Sequence, residues 1–82
     1  MPQTVPGFDR LTVEAEKLGG QACIRGYRFS AEHLLELLAA GWTLELVQAD
    51  FPFIEHEDVQ QVLGYAAALA HREIYVPLQE PA

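Results

Sequence analysis

Residues 19–41 run GGQACIRGYRFSAEHLLELLAAG: a short β-type run, a glycine-marked turn, a second short run, and a helix closed by glycine. Ser30 is placed to cap that helix, because its hydroxyl can accept from a backbone N–H that the first turn leaves unpaired. Ala31, Leu34, Leu35 and Leu38 recur at i, i+3, i+4 and i+7, one apolar face. Glu32 and Glu36 lie off that face, and Gly41 supplies the stop. Ahead of the helix, Cys23-Ile24 and Tyr27-Arg28-Phe29 flank Arg25-Gly26, which predicts a tight hairpin with Gly26 in a backbone region other residues avoid.

Working outward, Met1 to Gly7, with Pro2 and Pro6, reads as a loose arm, and residues 1–9 are set apart from a domain over 10–70. Arg10-Leu11-Thr12-Val13 has strand character beside the hairpin, and Leu18-Gly19-Gly20 is a turn. Beyond Gly41, Trp42 is placed to cover the helix end. Thr43 predicts the cap of a second helix carrying Leu44, Leu46, Val47 and Phe51, which Pro52 terminates. A third helix is predicted from about His56 to Ala70, with Val59, Val62, Leu63, Ala66 and Leu69 inward. Gly64 and the run of alanines make it slim, which favours close helix–helix or dimer packing. Residues 71–82 change character: Ile74-Tyr75-Val76-Pro77-Leu78 reads as extended, either docking on another chain or folding back on its own domain. The expected fold is α+β, mostly α. A short N-terminal β element or hairpin precedes a three-helix, helix-turn-helix-like bundle with an extended C-terminal tail.

From Arg10 to Ala70 the chain resembles domain-of-unknown-function family 433. The family pattern G-x-P-x-I-R-G-T-R-I is matched by GGQACIRGYRF, its leucine-rich helix by residues 31–41, and its D-Y-P-x-L-T-x-E-D-I segment by DFPFIEHEDV at 50–59. Ala22 stands where proline is usual, Tyr27 where threonine is usual, and Glu55 where threonine would cap the last helix. The resemblance implies an antitoxin-like protein with a helix-turn-helix-like core, paired with a nuclease toxin of the PIN-like class. It also retains both Arg25 and Arg28.

Eighty-two residues allow one small domain, half of them apolar, and chains of this size commonly gain stability by oligomerising. A single cysteine, Cys23, excludes an intrachain disulfide and a metal quartet, and suits a reducing compartment. No run approaches the length of a membrane span, and the N-terminus lacks a signal-peptide layout, so the expectation is a cytoplasmic protein with no membrane partner. Net charge is −7, unevenly spread. Arg10, Lys17, Arg25 and Arg28 outweigh the acids before residue 30, and Arg72 alone faces nine carboxylates after it. Phosphate is repelled by the acidic half, so any nucleic-acid face belongs to the hairpin half.

Lys17, Arg25 and Arg28 are therefore the candidate DNA contacts. Arginine makes bidentate bonds to phosphate, and equally to glutamates or hairpin carbonyls, so a structural role stands beside the functional one. Glu55, Glu57 and Asp58 with His56 suit a helix N-terminus, where the dipole favours acids, better than a metal site. That acidic end also makes the third helix a poor reader of DNA. Cys23 is expected to be a buried small apolar group. No catalytic set is assembled, and no enzyme activity or cofactor is expected. Arg72, Ile74, Tyr75, Val76 and Leu78 are the candidate partner contacts. Arg72 either enters a carboxylate-lined toxin site or interacts with the helix C-terminus.

The expected function is the antitoxin of a type II toxin–antitoxin pair, a homodimer that neutralises a PIN-like nuclease toxin by protein–protein binding, with operator DNA as a further partner. A stand-alone DNA-binding regulator and a dimeric adaptor are the alternatives.

Overall fold

A computed structural model of the chain describes residues 3–74, with 72–74 described as backbone only. Its elements are β1 (Gln3–Val5), β2 (Phe8–Val13), a 3-10 turn at Leu18–Gly20, β3 (Cys23–Ile24), α1 (Ala31–Ala39), α2 (Leu44–Asp50) and α3 (His56–Ile74). The fold is α+β and mostly α, as the periodicities predict.

The three strands form one antiparallel sheet in the order β1-β2-β3. Residues 3–7 are therefore not a loose arm. Pro6-Gly7 is a turn-forming pair, with Gly7 at φ 86°, and it folds Gln3–Val5 back along β2, pairing Thr4 with Thr12. The sequence reading weighted the two prolines and missed that Gln3-Thr4-Val5 has a pairing partner.

The helix signals act as read. The Ser30 hydroxyl accepts from the His33 amide at 2.9 Å, and the Thr43 hydroxyl from the Leu46 amide at 3.2 Å. Helix α1 ends in a Schellman motif: the Gly41 N–H donates to the Leu38 carbonyl at 3.0 Å and the Trp42 N–H to that of Leu37 at 3.1 Å. Gly41 sits at φ 95°, where a side chain would be strained.

The core draws about one residue from each element: Leu11 from β2, Ile24 from β3, Phe29 from the hairpin, Ala31 and Leu34 from α1, Val47 from α2, Ile54 from the α2–α3 turn and Val62 from α3. One expectation for α3 needs correction. Leu63 and Leu69 are not inward but 48% and 45% exposed, because α3 packs mainly on β2 and α1 and its apolar face is wider than the surface it meets. Within the chain, Gly64 faces the sheet. A Cβ there would lie 3.2 Å from the Phe8 ring, and Phe8 meets Tyr65 edge-on at 5.7 Å.

The tail expectation is corrected in part. Residues 71–74 belong to α3, so the backbone of Arg72 and Ile74 is helical and not extended. Glu73 is a good helix former and no proline intervenes before Pro77, so the helix runs on past the alanines. Tyr75, Val76 and Leu78 lie outside the described residues.

Candidate functional site

The turn at Ile24–Tyr27 is closed by the Tyr27 N–H donating to the Ile24 carbonyl at 2.7 Å. Arg25 (φ 42°) and Gly26 (φ 81°) both have positive φ, the signature of a type I′ hairpin turn. Gly26 takes this conformation at no steric cost; Arg25 does not. What holds Arg25 there is its anchoring. Its backbone N–H donates to the Arg10 carbonyl at 2.8 Å. Its guanidinium donates from Nε to Asp58 Oδ1 at 3.0 Å and from Nη2 to Asp58 Oδ2 at 2.9 Å, and Nη2 also reaches the Phe53 carbonyl.

Asp58 is fully buried, which a carboxylate tolerates only when its lone pairs are met. Besides the Arg25 fork, Oδ1 accepts from Arg10 Nη1 at 3.0 Å and Oδ2 from the Glu55 backbone N–H at 2.8 Å. With Glu55 just ahead of α3, that last bond is one half of a capping box, supplied from the third helical position. The threonine absent at 55 is thus offset from the other side. Burial alone would raise the Asp58 carboxyl, but hydrogen bonds from Arg25, the Glu55 amide and Arg10 outweigh it and hold its pKa below the ordinary value. Each carboxylate oxygen is met by two donors, so none of its lone pairs is left for a metal ion.

Arg10 closes the cluster from β2, donating also to Glu55 Oε1 at 2.7 Å. Its backbone N–H donates to Gln61 Oε1 at 2.8 Å, and Gln61 donates in turn to Asp9 at 2.7 Å. Two arginines and two carboxylates balance in charge and tie sheet, hairpin and the start of α3 into one clamp. Sequence reasoning passed over Arg10 and gave Asp58 only a dipole role. The clue to both was the absence of a local acid able to meet Arg25.

Lys17 is also engaged. Its ammonium donates to the Gly26 carbonyl and pairs with Glu14 at 3.2 Å, bracing the turn from outside. The Thr12 hydroxyl accepts from the Gly26 N–H at 2.9 Å. Of the three candidate DNA contacts, Lys17 and Arg25 thus hold the hairpin together. Arg28 is exposed and makes no hydrogen bond or ion pair to the described residues. Beside it Tyr27 is stacked on Phe53, centroids 4.1 Å apart, with the Arg25 guanidinium 5.4 Å from the Tyr27 ring. Cys23 is buried as expected, and burial pushes its thiol pKa up, away from reactivity. His33 lies flat on Phe29 at 4.5 Å.

On the opposite side of α1 a groove of about 400 Å³ opens between the end of β2, the loop before β3, α1 and α3. Its walls are apolar: Val13, Ala22, Ala31, Leu35, Tyr65 and Leu69.

The model of the family described as "Protein of unknown function (DUF433)" matches residues 11–66. The chain belongs to this family. The matched span of the DUF433 domain runs from Leu11 in β2 to Ala66 in α3, so it contains the hairpin, both capped helices and Asp58. Strand β1 and the last turns of α3 lie outside it, and Arg10 stands one residue before it. No curated protein and no solved structure matched the chain.

Proposed function

We propose that this DUF433 protein is the antitoxin of a type II toxin–antitoxin pair, a cytoplasmic, non-enzymatic homodimer that neutralises a PIN-like nuclease toxin by protein–protein contact. One observation supports protein over nucleic acid as the main partner. Three of the four described cations, Arg10, Lys17 and Arg25, are bonded within the fold, while Glu32, Glu36, Glu45, Asp50 and Glu57 face solvent. Phosphate meets repulsion on such a surface, whereas a basic protein with apolar anchors meets both charge and the exposed Leu46, Leu63 and Leu69. Arg72 and Ile74 in the last turn of α3, with Tyr75, Val76 and Leu78 after them in the sequence, supply the main contact. The decisive experiment is co-expression with the product of the neighbouring reading frame, followed by co-purification. Recovery of a stable complex with a nuclease is expected; recovery of the chain alone counts against the reading.

A second reading, operator binding by a helix-turn-helix-like core, is favoured by Arg28, exposed beside Tyr27 at the hairpin. Arg28→Ala should then reduce the log–log salt slope of DNA binding by about 1 per protomer. An unchanged slope removes the hairpin as a DNA contact.

A further inference from the structure

A surface helix ordinarily sets a charged face opposite its apolar one. Helices α1 and α2 do so, exposing Glu32 and Glu36 on the first, Glu45 and Asp50 on the second. Helix α3 does not. From Val59 to His71, VQQVLGYAAALAH, thirteen residues pass without an Asp, Glu, Lys or Arg, although part of the helix faces solvent. Val62 is fully buried against the core, while Gln60, Leu63, Ala67 and Ala70 are exposed. Their spacing of three, four and three residues lays them in one stripe.

We propose that this stripe is the interface between two copies of the chain, packed antiparallel α3 on α3. The inference rests on the homodimer reading above and adds which surface pairs and in which register. Charge selects the occupant. A basic protein is drawn to the carboxylates of α1 and α2, and the stripe offers it none. A second copy carries the same net charge of −7, so its approach is opposed wherever carboxylates meet carboxylates. On the uncharged stripe two such chains meet without that cost. Side-chain size selects the direction. In a twofold dimer each pairing occurs twice, with the roles exchanged. Antiparallel packing centred level with Tyr65 sets Leu63 on Ala67 of the second copy and Gln60 on its Ala70, long opposite short each time. Parallel packing would set leucine on leucine and alanine on alanine, crowding one level and leaving a gap at the next. It would also lay like helix ends together, whereas the antiparallel pair brings each positive N-terminal end beside a negative C-terminal one. Leu46 and the carboxylates of α1 and α2 stay free for a basic partner.

Sedimentation equilibrium of the full chain and three variants is the test. The parent should give twice the 9.1 kDa of one chain. Leu63→Lys and Ala67→Glu should each give the monomer, because each sets a charge against an apolar group twice over. Mixed in equal amounts, the two should recover the dimer, since the antiparallel register sets the introduced charges opposite one another. Leu46→Glu, at an exposed position of α2, should remain dimeric. All three positions are exposed, so circular dichroism should match the parent. A check on the parent alone needs no substitution. Methyl signals of Leu63, Ala67 and Ala70 should shift on dilution as the dimer dissociates, while those of Leu46 and Val47 stay fixed. A monomeric parent overturns this inference together with the homodimer reading. A dimer that tolerates Leu63→Lys and Ala67→Glu, or dilution shifts at Leu46 in place of Leu63, overturns the interface and leaves the homodimer standing. Monomeric variants that fail to pair when mixed overturn the antiparallel register.

Discussion

With its carboxylate sealed from solvent and shared between two guanidinium groups, Asp58 is where a one-atom change tells most about this domain. Asp58→Asn keeps the shape but removes the charge that Arg25 was folded to meet, and turns an acceptor of two bonds into a donor. Removing one partner of a buried pair costs about 3 kcal/mol, and this figure sits at the low end of the usual range because the Arg25 side chain keeps some solvent contact. Urea denaturation should show the loss as a lower midpoint at unchanged slope. The same carboxylate sets an acid limit. Its folded pKa lies below its ordinary value of 3.8, so the stability it contributes is complete above that value and drains away as pH falls through it and below. Parent unfolding midpoints should therefore drop more steeply than those of Asp58→Asn once pH passes below about 4. Gly26→Ala tests the turn itself: a side chain at φ 81° should cost about 1–2 kcal/mol, read from the same curves.

Elements stand here by their ends as much as by their faces. Helix α1 is nine residues long, too short to persist alone, and both of its termini are closed by side chain or glycine. Ser30→Ala strands the His33 amide and should cost about 1 kcal/mol, a loss Ser30→Asp should largely restore. Should the two variants unfold at the same midpoint, the cap is not what anchors the helix. Helix α3 differs: its start is fixed from inside by Asp58, and its middle is thinned at Gly64 to admit Phe8 of β2. Cutting the chain after Ala70 removes one turn and leaves Val62, Tyr65 and the groove wall in place. Circular dichroism should report a folded domain, while co-purification with the proposed toxin is lost. A shortened chain that still captures the toxin would move the contact onto the helices.

At the scale of the whole molecule, charge and apolar exposure point the same way. An acidic surface interrupted by half-exposed leucines resists phosphate and suits association with protein. Light scattering at micromolar concentration should give about twice the monomer mass. If instead a clean monomer elutes, the exposed Leu63 and Leu69 belong to a different partner.

The sequence by itself determined whatever depends on neighbours within a few positions. Caps at Ser30 and Thr43, the stop at Gly41, the end of α2 before Pro52 and the Arg25-Gly26 turn are all local steric or hydrogen-bonding events. It also placed the hairpin arginines at the centre while leaving their role open. Tertiary structure alone decided that role, because the acid that meets Arg25 lies thirty-three residues away and Arg10 reaches it from forty-eight. No periodicity encodes such a pairing; it arises when sheet and α3 close on the core and leave one carboxylate without water. Strand β1 escaped for the same reason, since a three-residue strand has no pattern of its own and exists through its ladder with β2. The inward expectation for Leu63 and Leu69 failed likewise: spacing says which residues share a face, and only packing says how much of that face is covered.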